Sequence, residues 1–433
     1  MAREWRRLVG IVMLLVPSAA SRLLSQSASD PFAQDSLMAD VRAYYEFGVH
    51  RTAHEGDRRT SDWLAERFRA LGLETSEHPF TLRQFYLDEA SIADASGRLE
   101  AFPLWLPRAT GPGGVRGRLV RGEADTPAAD LRGAVVWIEG APPRPALEGR
   151  AVAAGAAAIL FETNDRAGSG ELVAQNAERQ YVDVERPVPT LSFGAADAER
   201  LRRSIGRDVT VRLTGRMDNA ARARNIVGRL ERRRDAEWIV ISTPSSGWFT
   251  CAGERGPGIA ILLALAEWAV ARPDGLNYLF VGTSGHELDF LGARLFHGAH
   301  LAPPPERTRA WLHLGASIAT PPWEHVGGVW RPTATVTTGT LQASEELASI
   351  LRDAFRDLPM YALRTDIRLG EFRNLVDHGY RGLGVVGGSN PWFHVPRDTP
   401  DTVAPATLSA VTRATARALE DVERWTSIKR STS

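Results

Sequence analysis

Asn277-Tyr278-Leu279-Phe280-Val281-Gly282 is followed at once by Thr283-Ser284-Gly285-His286-Glu287. The first six residues are apolar on both faces, the pattern of a central strand in a sheet covered on both sides. A short polar turn containing glycine comes next, and Leu288 to His297 then predicts a helix. Working outward, Trp238-Ile239-Val240-Ile241-Ser242 predicts a strand and Gly258 to Ala271 a helix. Beyond the central run, strands are predicted at Ala310 to Gly315 and Gly382 to Gly387. Helices are predicted at Ser344 to Phe355 and Thr407 to Trp425. This alternation gives an α/β fold: a mostly parallel central sheet flanked by helices, with sites expected at the carboxyl ends of the strands.

The flanking regions have a different texture. Asp35 to Leu73 reads as helical, closed by Gly72, and Leu73 to Leu87 as a strand. From about residue 90 to 214, short apolar stretches alternate with Gly, Pro and Asp around one small-residue helix, Ala151 to Ala158. That predicts a compact, β-rich second unit. Arg3, Arg6 and Arg7 precede the apolar run Leu8 to Val16 and the small residues after Pro17. This is the order of a secretory signal, so the protein is expected to be periplasmic or secreted; an uncleaved anchor is the alternative. No later segment predicts a stable membrane span. The expected units are a signal peptide (1–22), a linker (23–35), an N-terminal part of the main domain (36–88), an insert (89–218) and the main α/β domain (219–428).

Lys+Arg and Asp+Glu are both 52, which gives zero net charge and no electrostatic case for nucleic acid. The single cysteine, Cys251, excludes an internal disulfide and a cysteine-rich zinc site.

Four segments resemble, in order, the co-catalytic zinc aminopeptidases, the group that includes glutamate carboxypeptidase and glutaminyl cyclase. They are Arg51 to Leu73, Ala223-Arg224-Asn225-Ile226-Val227-Gly228, Phe280 to Glu287 with Leu291-Gly292-Ala293-Arg294, and Phe393-His394-Val395-Pro396-Arg397-Asp398-Thr399. Leu131-Arg132-Gly133-Ala134-Val135-Val136 and the Ala-rich helix resemble a protease-associated domain, inserted at this point in the family. The resemblance implies two zinc ions bridged by a carboxylate and a water, with a glutamate as general base. Position by position, most of that set is replaced. The His-x-Asp position reads Pro244-Ser245-Ser246. The bridging aspartate falls on Glu254, the base on His286 and the second aspartate on Gly315. Glu287 and His394 keep their ligand types.

Three readings stay open on these residues. A mononuclear zinc hydrolase of amide or peptide bonds would use Glu287, His394 and either Glu254 or His286 as ligands. A metal-free hydrolase would use Cys251 or Ser245/Ser246 as nucleophile, His286 as base, and Arg255 with the Gly-rich 245–258 loop for anionic charge. A catalytically inactive homologue would bind a peptide-like or small amide ligand. Glu254 and Arg255 also read as a plain ion pair bracing the loop, and Asp398 and Asp401 as caps for the last helix.

Overall fold

The computed structural model describes residues 30–163, 169–327, 329–333, 339–365 and 370–425. The expected signal segment and most of the linker lie outside the described residues.

The Asn277–Thr283 strand is buried along its whole length, as its two-sided apolarity requires. It pairs in parallel with Trp238–Pro244 and antiparallel with the long Asp208–Leu230 strand. Thr308–Leu314 lies in parallel on the other side of Trp238–Pro244, and Leu383–Gly388 lies in parallel beyond it. These strands belong to one mixed, fourteen-stranded sheet. The Gly256–Val270 helix buries Ile259, Ile261, Leu262, Leu263 and Leu265 completely against it. Each such side chain contributes about 1.5–3 kcal/mol of burial. The Gln34–Glu46 and Pro405–Arg424 helices pack on that helix from outside. Gly256 permits the first of these crossings: a Cβ there would stand 3.0 Å from Val41 Cγ1.

Two of the differences from the sequence expectation have a direct backbone cause. The helix expected from Asp35 to Leu73 is two helices, Gln34–Glu46 and Glu55–Ala70. Gly48, at φ +90°, breaks it in the left-handed region that disfavours other residues. The helix expected from Leu288 starts at Leu291, because Asp289 and Phe290 both take positive φ. Those two residues turn the chain so that Gly285 to Leu288 stays a loop over the strand ends.

The second unit grows out of the sheet itself. Glu74–Asp94 and Asp208–Leu230 pair antiparallel from Glu74↔Arg229 to Ala93↔Thr210. The expected boundaries at 88/89 and 218/219 therefore fall inside continuous strands. Beyond them, Val115–Arg121, Val135–Ile138, Ala158–Glu162 and Thr190–Phe193 run in parallel. Val135–Ile138 and Thr190–Phe193 are buried throughout. Long paired strands with a local register shift at Leu82/Gln84 connect the two units more rigidly than a coil would.

Candidate functional site

The site lies where the strands Trp238–Pro244 and Asn277–Thr283 end side by side. Ser245 N–H donates to the Thr283 carbonyl at 2.7 Å, which ties the two loops together at their root. From there the chain runs through Cys251, at φ +49°, into the Gly256–Val270 helix. Asp398 does not cap the last helix, whose N-cap is Ala404. It accepts instead from the backbone N–H groups of Gly253 (2.9 Å) and Glu254 (2.8 Å) and from Thr402 Oγ1 (2.9 Å). This clasp fixes the direction in which Glu254 points. A Cβ on Gly253 would sit 2.8 Å from Asp398 Oδ1 and 2.9 Å from Asn390 Nδ2. Gly253→Ala should therefore cost about 1–3 kcal/mol, read as a lower Tm in thermal unfolding; an unchanged Tm would refute the clasp.

Glu254, Arg255, Glu287 and His394 are all buried, and the structure brings them together around the guanidinium of Arg255. Arg255 Nη2 is 2.8 Å from Glu254 Oε1 and 2.9 Å from Glu287 Oε1. Its Nε donates to the Ser246 carbonyl at 2.9 Å. The second oxygen of Glu287 accepts from Ser246 Oγ at 2.8 Å. That hydroxyl in turn accepts from the N–H groups of Gly285 (2.9 Å) and His286 (3.3 Å). Burial opposes the charge on Glu254, but Arg255 and His394 outweigh it and hold the carboxyl at about 2. Burial also opposes the charge on Arg255; Glu254 and Glu287 more than offset this and raise its pKa above the usual value. His394, at φ +62°, approaches Glu254 with Nε2 3.3 Å from Oε1.

His286 lies outside this cluster. Its Nδ1–H donates to Glu371 Oε1 at 3.0 Å, and its ring meets Phe290 edge-on. Burial, reinforced by the Arg255 charge, lowers its pKa to about 3, so it is neutral at pH 7. Burial raises the pKa of Glu371. His313 stands 3.8 Å from the other oxygen of Glu371. Trp311 Nε1 donates to Ser242 Oγ at 2.8 Å, which leaves the Ser242 hydroxyl free to donate to His313 Nδ1 at 3.0 Å. Glu371 thus bonds His286 and lies near His313, two histidines from separate strand ends. Its only signal in the sequence is that it, like Asp366, is an acid ahead of the last strand, and no motif marks it.

Cys251 is buried, and burial, then the nearby Glu254 charge, push its thiol well above its ordinary pKa. Its sulfur accepts from Phe249 N–H at 3.4 Å. Among the described residues, no hydrogen bond joins it to a histidine. A nucleophilic cysteine needs a lowered pKa and an adjacent base; Cys251 has neither feature.

A segment that the sequence did not mark covers the cluster. Ala174 N–H donates to the His394 carbonyl at 3.0 Å, and His394 Nδ1 donates back to the Ala174 carbonyl at 2.9 Å. Ala177 N–H donates to the Glu287 carbonyl at 2.9 Å and forms a parallel bridge with Leu288. Trp248 Nε1 donates to Asn176 Oδ1 at 2.8 Å. An extended strap from the second unit therefore lies across the strand ends.

No family model matches the sequence, and no curated protein matches it significantly. Solved structures do match its fold. A zinc aminopeptidase from Bacillus subtilis superposes with a TM-score of 0.70 at 16% identity, over 90% of this chain and 95% of that one. A peptidase precursor from Shewanella amazonensis gives 0.68 at 18%, over 93% and 95%. An aminopeptidase from an Aneurinibacillus strain gives 0.65 at 15%, over 90% and 94%. Nearly the whole described chain is built on the zinc-aminopeptidase fold.

Proposed function

We propose that this protein is a peptide-recognising homologue on the aminopeptidase fold in which a fixed salt-bridge cluster replaces the hydrolytic metal centre. The observation that carries this reading is the placement of the Arg255 guanidinium between Glu254 and Glu287. These are two of the three side chains that the family resemblance assigns to metal.

The residues present do not fit zinc. One feature is metal-like: His394 Nε2 and Glu254 Oε1 are buried, 3.3 Å apart, and neither has a hydrogen-bond partner. The same Glu254 oxygen, however, contacts Arg255 Nη2 at 2.8 Å. A divalent ion on that oxygen would face a full positive charge at close range in a buried, low-dielectric site. Among the described residues, no group of three or more His, Cys, Asp and Glu is arranged to hold a metal. The Arg255 charge takes the electrostatic place of the ion without its Lewis acidity or its bound water.

The ligand class follows from the strap. It is an extended backbone held through main-chain hydrogen bonds by His394 and Glu287, which supports recognition of peptide-like chains at the same ground. A ligand there must displace Ala174 to Ala177. On this reading the 89–218 region is a protease-associated insert that supplies the strap, and residues 1–22 export the protein. Among the described residues, no helix is long and apolar enough to cross a membrane.

The test is metal analysis of purified protein, with peptide hydrolysis assayed with and without chelator. The expected result is substoichiometric zinc, no turnover, and a Tm that ignores chelator. Stoichiometric zinc with chelator-sensitive cleavage would overturn the proposal.

A further inference from the structure

Arg51 lies between the two helices that the sequence had joined, and its side chain is an anomaly. It is 5% exposed. Among the described residues its guanidinium makes no hydrogen bond and no ion pair, and its Nε is buried without a partner. Its guanidinium instead stacks within reach of three rings: Trp248 at 5.3 Å, and Phe102 and Trp105 at 5.7 Å. The rings are fixed. Trp105 Nε1 donates to the Val182 carbonyl at 2.8 Å and Trp248 Nε1 to Asn176 at 2.8 Å. Phe102 and Trp248 pack edge to face at 5.7 Å.

Other polar atoms of the same stretch and its neighbouring strand are also buried without partners: Thr52 Oγ1, His54 Nε2 and Gln84 Oε1. Gln84 Nε2 reaches the Thr52 carbonyl, and Tyr86 OH the Ala53 carbonyl, so the Arg51 stretch is held against the Glu74–Asp94 strand. Cation–π contact returns only part of the cost of burying a guanidinium without a counter-charge. Native proteins satisfy nearly all buried polar groups, so a buried guanidinium without a counter-charge calls for an explanation, and a bound anion is one.

We infer that Arg51, caged by Phe102, Trp105 and Trp248, is a binding site for a carboxylate, at the seam between the two units. Planar guanidinium and carboxylate match in a bidentate fork, and the aromatic walls suit the apolar body that carries the acid. The carboxylate belongs either to a small organic acid or to the C-terminus of a peptide. The site does not depend on the peptide-recognition reading and stands if that reading fails.

The experiment follows Tm and calorimetric heat on the full chain during titration with sodium acetate, with sodium chloride at matched ionic strength as control. Parallel titrations use a short peptide as its free acid and as its amide. Wild type should show a saturable Tm rise of a few degrees with acetate and none with chloride. The free-acid peptide binding better than acetate, with the amide inert, assigns the peptide source; acetate binding equally well assigns a small acid. Arg51→Met should abolish the acetate shift and, because it removes an uncompensated buried charge, raise the Tm of the anion-free protein. Equal shifts with chloride, no shift with acetate in wild type, or a Met variant that unfolds or melts lower would each overturn the inference, the last by making Arg51 a structural brace.

Discussion

Arg255→Ala is expected to cost about 3–5 kcal/mol of stability, among the largest losses a single substitution produces in this protein. The reason is what it leaves behind. Glu254 and Glu287 are buried, both contact Nη2 of the same guanidinium, and Glu254 is held ionised chiefly against burial by that charge. Without Arg255, two carboxylates share a buried site without a cation, and at least one must take up a proton or the loop must open. Two further outcomes separate this account from a simple cavity effect. Adding Glu254→Gln and Glu287→Gln to Arg255→Met should recover most of the loss, because a neutral, well-filled site carries no stranded charge. Zinc should raise the Tm of Arg255→Ala while leaving wild type unmoved, because the ion then restores the missing positive charge to Glu254, Glu287 and His394. Chemical denaturation with and without zinc measures both. A loss under about 1 kcal/mol, or a triple variant no better than the single one, would refute the charge-replacement account.

Much of the architecture was legible in the sequence because its physics is local. Buried parallel strands are apolar on both faces, and the run Asn277 to Gly282 shows this without any tertiary information. Site membership was partly legible for the same reason: Glu254, Glu287 and His394 sit at strand ends and converge. What the sequence could not show is which of these side chains face each other. Arg255 reads equally as a loop brace or an anion holder until its Nη2 is placed between two carboxylates. His286 occupies the position of the general base in the family pattern, yet its Nδ1 is turned to Glu371, a residue 85 positions away in sequence. Cys251 reads as a candidate nucleophile in a Gly-rich loop, but its side chain is buried and, among the described residues, no histidine is hydrogen-bonded to it. The strap at Ala174 to Ala177 has no motif to announce it, since apart from Asn176 Oδ1 its contacts with the cluster are made by backbone groups. Long-range pairings of this kind leave no period and no motif.

Acidification should destabilise the protein steeply, well above the range where exposed carboxylates titrate. Burial pushes the pKa values of His50 and His286 down to about 3, and those of His54, His297 and His313 down to about 4. In the unfolded chain each takes up a proton near pH 6.5, while the folded state refuses it until about 3 or 4. Their contribution to stability is therefore complete above pH 6.5 and is lost as pH falls towards 4. Asp57 and Asp398 act in the opposite direction. Burial raises both to about 7, so the folded state holds protons that the unfolded chain releases above 3.8. Their contribution is complete below pH 3.8 and is lost as pH rises through 7. Glu371, also raised by burial, pulls the same way. The histidines outnumber these acids, so between pH 6.5 and 4 the unfolded chain binds more protons, by roughly two to three. At about 1.4 kcal/mol per proton per pH unit, the slope is on the order of 3 kcal/mol per pH unit. Glu254, held near 2, adds to the loss only as pH drops below 4.5. Urea unfolding midpoints across pH 7.5 to 4.5 measure the slope. His313→Gln, which keeps a group able to bond Ser242 but cannot titrate, should flatten it by about one proton. A midpoint that stays level over that range would mean that these histidines gain their protons in the folded state, and that the cluster around Glu371 is open to water.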